Sequence, residues 1–428
     1  MTTWFRTTFF ALENKQYRLM WTGTLFSFLG MQMQVITRGY LAYALTGRNS
    51  ALGAVTLAFG VPQLLLSLVG GVIADRLPKR TVLWVSQSII AVNSAWVATM
   101  IAFDRLEFWQ LILAGFIQGA CFSFVGPARQ AFIGDLVGRE KIANAVVLQQ
   151  LSMNSSRVVG PSIAGAFLGI SFIGAAGVYY MTTLGFIIAI VSMIPLPRGN
   201  PRPRATETSP LADIVDGLRY MKARPQIAAL AMTSLLVLTI GFPYQSFLAS
   251  VVLGEYGAHK AAIGWLSSAG AVGGVIATVW VAGMTNSRRV WMIHPLMGVI
   301  FGVTVIALGL SPNLLAGLFV MLFVGAAGAA FQTLNTSLTM SLADHEYHGR
   351  VQSLTSLGWS FFGIAALPIG MVADHIGLRE TLALMGGLCV VSVLAVEVVA
   401  KSRNVASDRH IAAMPVTREA HGTTGGGR

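Results

Sequence analysis

Arg157 falls near the middle of an apolar run, residues 142–170, that is long enough to cross a membrane. An arginine at the centre of a bilayer costs at least ~2.5–3.5 kcal/mol, so it must face a cavity or a polar partner. Gln150, Asn154, Arg157 and Pro161 recur at helical spacing and form one stripe. Gln149, Met153, Ser156 and Gly160 lie beside it. This pattern reads as a cavity wall presenting a planar cation to a ligand. The competing reading is a structural arginine bound to carbonyls of a neighbouring helix, helped by the disruption at Pro161.

Three further groups could line such a cavity. Arg38 follows Gln34 by one turn in the run 19–45. It points either into the outer half of a cavity or outward, snorkelling to the headgroups. Gln332, Asn335, Thr336 and Thr339 form a polar stripe in the run 313–341. That stripe serves either a cavity or hydrogen bonds between helices. Tyr40, Phe122, Tyr244, Phe331 and Trp359 are candidate aromatic walls.

The acids inform by their positions. No Asp or Glu lies in the middle of any apolar run. Glu397 is near the end of the last run, and Asp75, Asp135, Asp344 and Asp374 fall at ends or loops. Proton coupling would therefore use acids at the membrane edge, with Asp135, Asp344 or Asp374 mattering more than Glu397. The seven histidines are scattered, and only His345 and His348 are close in sequence, so no metal site is expected. Gly273-Gly274 and Gly325–Gly328 lack the lysine and hydroxyl of a nucleotide loop and read as helix contacts. No cofactor is expected. A membrane-embedded enzyme would need a nucleophile–base set, paired acids or metal ligands at one depth, and none appears. A sensor would need an added soluble domain, and the polar tail is too short for one.

These residues are carried by twelve apolar runs, at 19–45, 52–74, 81–103, 107–128, 142–170, 173–195, 226–253, 261–283, 290–310, 313–341, 351–373 and 379–400. Each can span the ~30 Å hydrocarbon layer as a helix. The chain is 54% hydrophobic and 11% charged, with mean hydropathy +0.68, whereas soluble domains carry about a quarter charged residues. Of 29 Lys and Arg, four (Arg48, Arg105, Lys260, Arg379) fall in one set of alternate loops and two (Arg38, Arg157) within runs. The rest lie on the other side, so the positive-inside rule places both termini in the cytoplasm. The basic residues flank spans, where they touch anionic lipid, and nucleic acid is excluded as a partner. Cys121 and Cys389 both lie in apolar runs, which excludes a disulfide framework. The first run is too long for a signal-peptide core. Trp4 to Leu12 reads as a short interfacial helix before it.

The longest inside connection, 196–225, opens with Pro197, Pro201 and Pro203. It then carries an amphipathic stretch, Leu211 to Lys222. It divides a six-span unit, 1–195, from a second, 226–400, and a disordered cytoplasmic tail is expected at 401–428. Features recur six spans apart. Gly71 to Arg80 is answered by Gly283 to Arg289, Asp135 with Gly138-Arg139 by Asp344 with Gly349-Arg350, and Pro161 by Pro368. Parallel repeats of this kind build transporters with the site between them.

The stretch Gly71-Val-Ile-Ala-Asp75-Arg76-Leu-Pro78-Lys79-Arg80 resembles the loop 2–3 motif of the major facilitator superfamily. Gly160-Pro161 and Gly165 resemble its antiporter-type motif in span 5. Tyr17 to Trp21, Tyr43 to Gly47 and Leu52-Gly53 are similar to the enterobactin-exporter and macrolide-efflux branch. Pro78 and Ala164 stand where the family usually has glycine. The resemblance implies an all-α membrane protein, twelve transmembrane helices in two pseudo-symmetric six-helix bundles. It also implies a switch made by Gly71, Asp75, Arg76 and Arg80, in which Asp75 meets the positive end of the span 11 helix in the outward-open state. The implied function is secondary active export by alternating access, with proton antiport. The implied substrates are amphipathic organic molecules: siderophores, macrolides or other drug-like compounds. Two arginines and no intramembrane acid favour an anionic or neutral substrate. An importer or a lipid flippase would share the fold. A monomer in the bacterial inner membrane is expected.

Overall fold

Thirteen helices make up nearly all of the described chain, which in this computed structural model comprises residues 10–138, 141–199, 210–284, 289–344 and 347–402. They are α1 (Lys15–Thr46), α2 (Asn49–Arg76), α3 (Lys79–Ala102), α4 (Phe108–Leu136), α5 (Ile142–Gly169) and α6 (Gly174–Met193). After them come α7 (Pro210–Ala223), α8 (Pro225–Glu255), α9 (Ala261–Ala282), α10 (Val290–Leu310), α11 (Leu314–Leu342), α12 (His348–Ile376) and α13 (Leu378–Ser402). A single 3-10 turn, Phe10–Glu13, precedes α1, and Trp4 to Phe9 of the expected interfacial helix lie outside the described residues. The expected tail beyond Ser402 lies outside the described residues.

Local chemistry sets the ends. Asn14 caps α1, its side-chain oxygen accepting from Gln16 N and Tyr17 N, and Gly47 closes the helix at φ +65°. Glu107 and Gln110 form a capping box at the start of α4. α8 is continuous but changes hydrogen bonding along its length, with π turns at Val237–Gly241 and Val251–Glu255 around a 3-10 segment, Phe242–Phe247. Pro243 lies in that segment, and its missing N–H removes a rung of the ladder.

Among the described residues, ten helices are long and apolar enough to cross a membrane. Twelve spans are expected from the sequence, and the two long helices below the mark are α1 and α5. They carry Gln32, Gln34 and Arg38, and Gln149, Gln150 and Arg157. A helix that trades apolar for polar side chains on one face loses mean hydropathy.

The packing sorts the helices into two sets. In the first, α1 packs on α5 and α6, α2 on α4, and α3 on α4 and α6. In the second, α9 packs on α11, and α10 on α11 and α13, while α8 lies against α12 and α13. The sets meet through α2 with α12 and α5 with α9. A Cβ on Gly165 would stand 2.4 Å from Gly264 Cα, and one on Gly60 would stand 2.9 Å from Gly363 Cα. Only glycine permits backbones to approach this closely. The Gly60–Gly363 contact lies near mid-helix, whereas Gly165–Gly264, and Gly370 with a Cβ 2.6 Å from the Asn49 carbonyl oxygen, lie toward the end that carries Asn49, Gly169 and Asp374. α7 rests against α2, α8 and α12 at the opposite end.

Candidate functional site

Arg157 is exposed within α5, and its guanidinium carbon lies 5.6 Å from the ring centre of Trp359 on α12. The pair therefore spans the two helix sets. Trp359 stands edge-on to Phe242 of α8 at 5.6 Å and to Phe362 at 6.0 Å. Phe242 leans on Phe301 of α10 at 4.9 Å, and Tyr244 meets the same ring at 6.0 Å. A cation facing such a face gains roughly 0.5–2 kcal/mol, more as water is excluded. The 3-10 segment of α8 matters here, because it presents Phe242, Tyr244 and Ser246 toward neighbouring helices. Thr56 Oγ1 donates to Ser246 Oγ at 3.2 Å and links α2 to α8 beside the aromatic group.

Gln150, two turns before Arg157, is also exposed. Gln149 is buried, and its Oε1 has no hydrogen-bond partner among the described residues. The side chain of Asn154 lies outside the described residues. On α11 the polar stripe divides. Gln332 is half-buried, with Oε1 lacking a partner among the described residues, and Thr336 is exposed. Asn335 is buried and turns toward α10, where its Oδ1 lies 3.2 Å from His294 Nε2. Phe331 is also buried, stacked on the His294 ring at 4.8 Å. Phe122 lies within the first set, tilted on Phe59 at 6.1 Å.

Gln34 and Arg38 sit inside the first set, at 2% and 6% exposure. Arg38 Nη2 donates to Gln118 Oε1 at 2.6 Å, Gln118 Nε2 to Gln34 Oε1 at 2.6 Å, and Gln34 Nε2 to Ser94 Oγ at 3.0 Å. The guanidinium also lies 5.9 Å from the ring centre of Phe59. This relay ties α1, α3 and α4 together through neutral acceptors. Arg38 is thus held in a buried network.

Of the switch residues, Arg80 binds the Leu196 carbonyl at 2.8 Å, joining the start of α3 to the end of α6. The neighbouring Lys79 pairs with Asp135 at 3.0 Å. The side chains of Asp75 and Arg76, and the surroundings of Gly71, lie outside the described residues. Gly160 packs on α1, where a Cβ would stand 2.6 Å from Gln32 Cβ; Pro161 follows it inside α5 without ending the helix.

At this end Arg224 pairs with Asp344 at 2.6 Å and lies 4.4 Å from the Tyr220 ring centre. Tyr220 stacks on Tyr347 at 3.9 Å. The Asp344 hydrogen bond is the first cause holding the Arg224 guanidinium above its ordinary pKa. These contacts dock α7 to the junction of α11 and α12.

Three groups escape a reading of apolar runs. Arg129 is buried in α4 with its guanidinium 4.6 Å from the Phe28 ring centre. A run that stops at 128 leaves it in a loop, whereas the helix continues to Leu136. Gln118 has no sequence signal beyond a lone polar residue in a span. His294 gives no clustering signal, because its neighbours come from other helices.

A family model described as transmembrane secretion effector matches residues 6–421. The staphyloferrin A transporter of Staphylococcus aureus is 24% identical over 80% of this chain and 86% of its own length. The multidrug efflux pump Tap of Mycolicibacterium fortuitum is 28% identical over 81% and 87%. The macrolide efflux protein A of Streptococcus pyogenes is 22% identical over 84% and 92%. Among solved structures, a bacterial homologue of the human lysosomal transporter Spinster superposes with a TM-score of 0.71 at 14% identity, covering 94% of this chain and 98% of that one.

Proposed function

This chain belongs to the transmembrane secretion effector family of the major facilitator superfamily, and on that premise we propose that it is a secondary active exporter of amphipathic small organic molecules, driven by proton antiport. It is a multi-pass membrane protein and a transporter, not an enzyme. In the proposed arrangement α1–α6 and α8–α13 are two six-helix bundles, and α7 is the cytoplasmic linker. The basic bias of the loops supports placing the Asn49 end outside and the α7 end in the cytoplasm. The close approaches of α2 to α12 and α5 to α9 then support an outer side that is shut, as in an inward-facing state.

The observation that carries this reading is Arg157 over Trp359, a charged group left exposed between the two helix sets. Arg157, Gln150 and Gln332 supply hydrogen bonds, and Trp359, Phe242 and Tyr244 supply apolar surface. A cation without a described acidic partner suits an anionic or neutral amphiphile better than a cation. Siderophores, macrolides and other drug-like compounds are the proposed class, in keeping with the relatives' names. Asp75 remains the proposed inner-face switch.

The test is efflux from inverted vesicles carrying the protein, with a panel of siderophores, macrolides and unrelated drugs, with and without an imposed pH gradient. Gradient-dependent movement of at least one amphiphile, absent from empty vesicles, is the expected result. Movement driven by Na⁺ and insensitive to an uncoupler would replace the proton reading.

A further inference from the structure

We infer that His294, which shares a small cleft with Glu397, is the residue that carries the coupled proton. This rests on the antiport reading above and assigns its chemistry to a place in the fold. His294 is 5% exposed on α10, one turn from the α7 end of that helix. From α11, Asn335 holds Nε2 at 3.2 Å and Phe331 stacks on the ring face. An amide oxygen only accepts, so in this contact Nε2 bears the hydrogen.

His294 also lines a small cleft with Gln226 and Thr233 of α8, Trp291 of α10 and Glu397 of α13. The cleft has room for about one water molecule. Glu397 is the one ionisable group that its lining adds from the elements packed around the ring. α8 contributes the neutral Gln226 and Thr233, and α11 the neutral Asn335 and Phe331. On α10 itself, Trp291 is neutral and Arg289 lies beyond the helix start.

The arrangement pairs the one side chain whose ordinary pKa is near neutrality with a carboxylate at the membrane edge. Asn335 is buried and turned to α10, whereas its α11 neighbours Gln332 and Thr336 are half-buried and exposed. In the inward-facing form the imidazolium gives a ring proton to the Glu397 carboxylate through water in the cleft they share. The N–H electron pair stays on the ring, and the carboxylic acid passes the proton to cytoplasmic water. Reloading from the outside returns the ring to the imidazolium. Motion of α11 against α10, as the bundles rock, would couple this event to the cavity.

The test follows the ring itself. Purified full-length protein is labelled with ¹⁵N-histidine, and the His294 signal is assigned by its loss in His294→Gln. The expected result is a titration between about pH 5 and 9. In Glu397→Gln the titration curve should change, because the carboxylate that shares the cleft is gone. A His294 ring that stays in one protonation state across that range, in wild type and Glu397→Gln alike, would overturn the assignment. A second arm reads enterobactin efflux from vesicles under an imposed pH gradient. Loss of gradient drive in His294→Gln, with downhill movement retained, supports the assignment. Full gradient drive in that variant overturns it while leaving antiport intact. Wild-type efflux that ignores the gradient removes both.

Discussion

The carboxylate of Asp374, near the end of α12, accepts from the backbone of Asn49 at 2.6 Å through Oδ1 and from Ser50 at 3.0 Å through Oδ2. An acid on one helix thus caps the first turn of another, α2, across the two sets. The free N–H groups and positive end of α2 are what it satisfies. In the proposed orientation the contact exists only while the outer side is shut. Asp75 is proposed to play the same part at the other end of α2, toward the start of α12.

Replacing Asp374 with Ala removes both acceptors. A lost cap costs about 1 kcal/mol, which corresponds to roughly a fivefold shift from the closed to the opened outer side. Spin labels at Arg48 and His375, read by pulsed distance measurement, should show a longer component grow. Asp75→Asn should move the population the other way, because it weakens the inner latch. Identical distance distributions in wild type and both variants would remove the paired-latch account.

Gly165→Val tests the second junction. A Cβ already meets Gly264 Cα at 2.4 Å, so a branched side chain cannot fit without separating α5 from α9. The same labels should report opening, and efflux should fall at least tenfold with membrane insertion unchanged. Wild-type efflux from this variant would show that the approach is incidental.

The Arg38 relay should behave as a structural unit. Gln118→Leu leaves a buried guanidinium without its acceptor, which costs about 1.5–3 kcal/mol for a charged hydrogen bond. The melting temperature should drop in this variant and recover in the Arg38→Met, Gln118→Leu pair, where both partners are apolar. A pair that melts as low as the single variant would assign Arg38 another role, including contact with substrate.

Much of the fold is legible in the sequence, since the apolar runs coincide with the long helices, although α1 and α5 fall below the apolarity of the other ten. What composition hides is direction. Arg38 and Arg157 are both arginines in long helices, yet one turns into the first helix set to meet Gln118 and the other faces the space between the sets. The difference lies in partners supplied by other helices. Asn335 shows the same effect, sharing a stripe with Gln332 but turning to His294. Arg129 is hidden for a different reason: the apolar run stops at 128, while α4 continues to Leu136. The acids at Asp135 and Asp344 read as candidate proton sites, but the structure gives each a cation, Lys79 and Arg224. Glu397, ranked below them by position alone, shares a cleft with His294.

The most direct test of the account is substrate binding to purified Arg157 variants, with melting temperature measured alongside. A size-matched panel of acidic and neutral amphiphiles should be titrated against wild type, Arg157→Ala and Arg157→Lys. Loss of a charge-assisted hydrogen bond predicts acidic ligands weakened at least ~10-fold in Arg157→Ala and neutral ones less. Arg157→Lys should recover only part, because lysine keeps the charge and loses the planar fork. Melting should be unchanged or slightly raised, since the substitution removes a costly charge from a span. Normal binding of every ligand by Arg157→Ala, together with a much lower melting temperature, would contradict the account and make Arg157 a structural residue.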